Sequence, residues 1–118
     1  MVLLQAKQHE RAAEALRRVL QLAPNLTEAH VNLGFALLGL QQPEAARRSF
    51  EQAIDLRPEQ ANAYYGLALS HEAGKDLELA LGAMRSYLHL ARKEDEAHLA
   101  RARAAVWEWE AQSAQRRG

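Results

Sequence analysis

The chain has 118 residues, and its 15 Lys and Arg balance 15 Asp and Glu to a formal net charge of zero. Such a balance argues against a nucleic-acid partner, which needs a basic face. Cysteine is absent, which removes disulfides, thiol catalysis and Cys-ligated metal, and no apolar run reaches the length of a membrane span.

The opening Met1-Val2-Leu3-Leu4 is too short for the apolar core of a signal peptide. Between Glu10 and Leu20, the residues Ala12, Leu16, Val19 and Leu20 fall on one stripe with charges opposite, which predicts an amphipathic helix. Asn25 with Glu28 three residues later predicts a capped start for a second helix. That helix ends near Gly39, and Pro43 suits the first turn of a third. Beyond Pro58 a fourth helix is expected to stop at Gly74, with Asp76 as N-cap of a fifth. Connections of three or four residues make these neighbours antiparallel, and no segment alternates as a strand does, so the chain reads as all-α. A last helical pattern runs from about Glu94 to Gln115, its start capped by Glu94, Asp95 and Glu96. Leu99, Ala102, Val106 and Trp109 trace one of its stripes; Ala100, Ala104, Trp107 and Ala111 trace a neighbouring one. Trp107 and Trp109 point about 200° apart on an ideal helix, so one buries readily and the other is harder to hide. Either is a candidate anchor for a partner, as Trp is enriched at binding hot spots.

A fixed step of 34 residues links these segments. It joins Pro24 to Pro58, and relates Ala12, Ala46 and Ala80; Leu16, Phe50 and Met84; and Leu20, Ile54 and Leu88. Such a period marks stacked supersecondary units, none able to bury its apolar face alone. Counted from Thr27, the positions His30, Leu33, Gly34, Leu37, Ala46, Phe50, Ala53 and Pro58 resemble the tetratricopeptide repeat. The copy counted from Ala61 departs from the pattern at Ala68, Tyr87 and Arg92. The resemblance implies a right-handed α-solenoid of antiparallel helix pairs. Residues 1–24 would be a partial repeat, 25–58 and 59–92 full repeats, and 93–118 a C-terminal capping helix and tail. Ala46 and Ala80 are expected at close helix crossings, Gly34 beneath a neighbour, and Phe50 and Met84 between successive units. An array seldom begins half way through a helix pair with Val2, Leu3 and Leu4 at its edge. Either the native protein is longer than this chain, the favoured expectation, or another molecule covers that edge.

In the family it resembles, the first helix of each pair lines a concave groove that holds peptides or helices. By phase this groove would show Leu4, then Glu28, Val31, Asn32, Phe35 and Leu38, then Asn62, Tyr65, Leu69 and Glu72. Asn32 and Asn62 suit hydrogen bonds to a peptide backbone. The apolar members favour an amphipathic helix or an apolar-rich segment of another protein, with Asn32→Ala and Tyr65→Ala expected to leave the fold intact. The cationic clamp by which some relatives hold a terminal carboxylate is not matched: Asn62 and Gly66 stand at its basic phases.

Nothing points to an enzyme or a cofactor. The five histidines His9, His30, His71, His89 and His98 are scattered, with no pair at the one-turn spacing of a helical metal site; His30 reads as a packed core imidazole. No nucleophile elbow or phosphate loop is present. The sequence therefore favours an adaptor that binds another protein, with no nucleic acid, no membrane insertion and no cofactor. The alternative is a self-assembling element, a homodimer built on the Trp helix. Ala, Leu and Arg content suits a bacterial protein, and the compartment is not legible.

Overall fold

Phe50 is fully buried and lies between two helices that carry glycine where they meet its ring. In the computed structural model, backbone is described for residues 2–91 and 96–117, and side chains for residues 5–91 and 96–117. These residues form helices α1 (Val2–Leu22), α2 (Thr27–Gly39), α3 (Pro43–Leu56), α4 (Ala61–Ala73), α5 (Leu77–Leu90) and α6 (Glu96–Arg117). No strand occurs among the described residues. Each helix packs chiefly on its neighbours in sequence, and α2 also meets α4. The result is the elongated all-α solenoid of helical repeats, 47 × 32 × 24 Å.

The core is two linked clusters rather than one centre. The first gathers Ala13, Val31, Leu37, Ala46, Ala53 and Ala63 around Phe50. The second gathers Ala68, Ala80, Leu81, Tyr87, Leu99, Ala102 and Trp109 around Met84, and Leu67 packs against both. α2 is apolar on nearly every side because α1, α3 and α4 all cover it. α3 buries only Ala46, Phe50 and Ala53 along one stripe. A Cβ on Gly34 would come 2.6 Å from the Phe50 ring, and one on Gly66 would collide with the same ring. The two glycines thus let α2 and α4 close on one aromatic side chain, at some sacrifice of helix propensity.

Pro43 occupies the first turn of α3, and Asp76 caps α5 by accepting the Leu79 amide at 3.2 Å. Other expectations need correction. Asn25 does not cap α2; Leu26 is the N-cap and no side chain bonds there. The loop is held instead by the Leu26 amide on the Ala23 carbonyl and by His30 Nε2 donating to the Pro24 carbonyl at 2.8 Å. His30 is therefore half-buried and tied to the loop, not sealed in the core. Gly74 ends α4 with φ −82°, and the left-handed residue is the next one, Lys75, at φ 66°. Gln41 does the same after α2, at φ 61°. Both turns carry paired bonds, Gln42 to Leu37 with Gln41 to Leu38, and Asp76 to His71 with Lys75 to Glu72. This is the Schellman arrangement, made without its usual glycine.

α1 also differs from expectation. Ala13, Leu16 and Leu20 pack toward α2, whereas Ala12 and Val19 are exposed. α2 lies on the flank that carries Ala13, and no other described element covers the flank of Ala12. The expected edge residues Met1 and Val2–Leu4, together with Arg92, Glu94 and Asp95, have side chains outside the described residues.

α6 is held to α5 by apolar and polar contacts together. Leu99, Ala102 and Trp109 are buried in the second cluster. On the rim, Arg85 donates to Glu110 at 2.6 Å, and Glu78 accepts from Ser113 at 2.8 Å and Arg117 at 2.6 Å.

Candidate functional site

A cleft of about 700 Å³ opens where α2, α4, α5 and α6 converge. Phe35 from α2 stands on one side, set edge-on to Phe50 with ring centroids 4.9 Å apart. Gln60, Ala61 and Asn62 at the start of α4 form the adjoining wall, and Tyr65 follows one turn later. Tyr65 is fixed by two ring contacts: it meets Tyr87 edge-on at 5.1 Å and His98 at 5.3 Å. Leu90 and Arg101 complete the surface with Glu59.

The chemistry of this lining is mixed. Aromatic edges and Leu90 offer apolar contact, while Asn62 offers an amide. Gln60 Nε2 donates to Asn62 Oδ1 at 2.8 Å, so the Asn62 NH2 points its remaining capacity outward. Arg101 is exposed and makes no hydrogen bond or ion pair within the described residues. Glu59 is partly engaged by Arg57, at 3.9 Å. Such a surface suits a chain segment that combines an apolar side chain with backbone and polar groups.

Of the residues expected in the groove, the cleft brings together Phe35, Asn62 and Tyr65. Glu28 and Asn32 are exposed on α2 but lie outside it, and Leu69 is half-buried further along α4. Val31 is a correction: at 1 % exposure it is core, because α1 covers the flank of α2 on which it sits. Trp109 is another, 6 % exposed and packed in the second cluster. Trp107 is 79 % exposed and lies outside the lining of the cleft. Tyr65 is not the neutral probe expected, since two ring contacts depend on it. Leu4 falls outside the described side chains.

His98 and Arg101 are not among the residues expected from the sequence, which looks for binding on α6 only at its tryptophans. The signal existed: the 34-residue step relates Tyr64 to His98, Leu67 to Arg101 and Ala68 to Ala102. Ala68 and Ala102 are both fully buried. α6 therefore starts in the phase of a first helix and presents His98 and Arg101, from its first two turns, to the cleft.

Titratable groups elsewhere have identifiable surroundings. Burial pushes the His71 imidazole below its ordinary pKa, against the opposing pull of Asp76. The Ser113 hydroxyl, then Arg117, holds the Glu78 carboxyl below its ordinary value. Arg47 is raised by its hydrogen bonds to Glu44 and Glu51. Among the described residues no group of three His, Cys, Asp or Glu is placed to hold a metal ion, and no helix is long and apolar enough to cross a membrane.

Two tetratricopeptide repeat profiles match the chain, one over residues 31–97 and one over residues 3–49. The cell division cycle protein 27 homolog of Caenorhabditis elegans is 35 % identical over 65 residues, 55 % of this chain and 8 % of that protein. Superkiller complex protein 3 of Mus musculus is 35 % identical over 66 residues, 56 % of this chain and 4 % of that protein. The chain thus corresponds to a small part of the length of these relatives. Among solved structures, PcrH in complex with the chaperone binding region of PopD superposes with a TM-score of 0.84 at 22 % identity, covering 92 % of this chain and 84 % of that one. At that identity the likeness is one of fold.

Proposed function

The chain belongs to the tetratricopeptide repeat family, and from that premise we propose that it is a protein-interaction scaffold whose cleft seats a peptide or helix of a partner protein. The observation that carries this reading is the cleft itself. Aromatic groups from α2, α4 and α5 and polar groups from α4 and α6 converge on one opening of about 700 Å³. A segment laid there would place an apolar side chain against Tyr65 and Phe35 while the Asn62 amide meets its backbone. That division of labour, side-chain pocket plus main-chain hydrogen bond, is how repeat and groove receptors combine affinity with selectivity. The PcrH structure, which holds a region of PopD, lends support by example.

The test is affinity capture from the source cell with the native chain beside an Asn62→Ala/Arg101→Ala variant. Both residues are exposed, so the variant should keep its helicity and melting temperature. A protein held by the native chain and released by the variant is the expected result. Equal retention by two equally folded baits would remove the cleft as the receptor.

A further inference from the structure

We propose that the outer face of α6 is a self-association surface on which α6 of a second copy packs antiparallel. α6 has two stripes at helical spacing. One, with Leu99, Ala102, Trp109 and Ser113, is buried against α5. The other, with Ala100, Ala104, Trp107, Ala111 and Ala114, is exposed along its whole length. Its spacings alternate four and three residues, the pattern of a helix–helix seam. Its centre is Trp107, 79 % exposed although it is the largest apolar side chain on that face.

The occupant follows from size and charge. In a parallel pair the seam would set one Trp107 against the other. In an antiparallel pair with Ala104 level with the partner's Trp107, each indole lies over alanine. Ala100 then faces the partner's Ala111. One edge of the stripe carries Arg103 and Glu110, and the other carries Arg101 and Glu108. Reversing the second helix brings each edge against its own copy, offset by about 3 Å along the axis. Arg103 then faces the partner's Glu110, and Arg101 faces the partner's Glu108, twice over by symmetry. Glu110 already receives Arg85 through Oε2, and its other oxygen remains for the partner's Arg103. The same patch thus complements itself, as a two-fold interface requires. A single helix pair is a small interface, so association belongs to the weak class. This inference does not rest on the cleft: the two surfaces share only Arg101, which borders both, and the seam is centred on Trp107, outside the cleft lining.

Sedimentation of the full chain as concentration is raised through the micromolar range tests it. The mass should rise from 13.2 kDa toward twice that value. Trp107→Ala and Glu108→Arg should each weaken association by about tenfold or more, and Arg101→Glu/Glu108→Arg should restore it. Because the native chain has no cysteine, orientation can be read by oxidation. Ala100→Cys mixed with Ala111→Cys should give the mixed disulfide dimer. Disulfide dimers of each variant with itself and not with the other would overturn the antiparallel pair. A monomeric mass at every concentration would overturn the whole proposal, leaving the face for a different partner.

Discussion

Phe50 and Gly66 touch so closely that the glycine has no room for a Cβ: the added atom would collide with the edge of the aromatic ring. Gly34 presses on the same ring from α2. One side chain on α3 thereby sets the distance both to the helix before it and to the helix after it. That shared contact is what makes consecutive units cooperative.

Gly66→Ala should therefore destabilise the chain by about 1–3 kcal/mol, because overpacking a rigid ring outweighs the gain in helix propensity. Gly82 provides the contrast. It is a helical glycine with nothing within 4 Å of its added Cβ, so Gly82→Ala should stabilise by about 1 kcal/mol. Denaturant unfolding of both variants checks the pair, and equal shifts would contradict the assigned packing.

Lys75 and Gln41 hold left-handed conformations that disfavour a Cβ. Lys75→Gly should stabilise by about 0.5–1 kcal/mol, the relief of backbone strain exceeding the added freedom of the unfolded chain. Gly74→Ala should be nearly neutral, since its φ is ordinary and its nearest contact, a backbone oxygen, is 3.5 Å away. Thermal melts distinguish this assignment from one that makes Gly74 the special residue.

Trp109→Ala should cost about 3–5 kcal/mol as a buried large-to-small change. Trp107→Ala should change monomer stability by less than about 0.5 kcal/mol, as surface substitutions do. Chemical unfolding at low concentration, where self-association is suppressed, isolates the two effects.

The α5–α6 rim should loosen in acid. Glu78 has a folded-state pKa below its ordinary value, chiefly through Ser113 and then Arg117. A depressed carboxylate pKa contributes stability above the unfolded pKa, and that stability is lost as pH falls through the folded one. The imidazole of His71, also depressed, acts in the same direction at higher pH: the folded state resists its protonation, so stability declines as pH drops past the ordinary imidazole range. Fluorescence of Trp109 in a Trp107→Phe background should report the loosening of α6. Glu78→Gln should flatten the step in the carboxylate range and leave the imidazole step in place. Both rim partners are largely exposed, so the Glu78 step should also shrink with added salt.

Much of this architecture was legible in the residues alone. The 34-residue step fixes helix pairs because the same packing problem recurs in each unit, and small residues at Ala46 and Ala80 with large ones at Phe50 and Met84 follow from it. Asp76 and Pro43 act where local chemistry says they should, since capping depends on neighbours a few residues away. Periodicity is weaker at the ends of the pattern. The stripe on α1 was misplaced because Ala12 and Val19 have the right phase but no helix beside them, and burial needs a second surface.

Tertiary structure alone decided the rest. Whether Val31 faces a ligand or the core depends on α1 lying across α2, which no local pattern reports. Gly74 and Lys75 are adjacent, and only the backbone path shows which of them takes the left-handed turn. Tyr65, Asn62, His98 and Arg101 come from helices separated in sequence, and their convergence is set by how α6 seats on α5. The two tryptophans share one helix and one chemistry; the contact with α5 buries Trp109 and leaves Trp107 in water. Sequence determines the repeating local solution, and the stacking of those solutions determines which side chains are left free to bind.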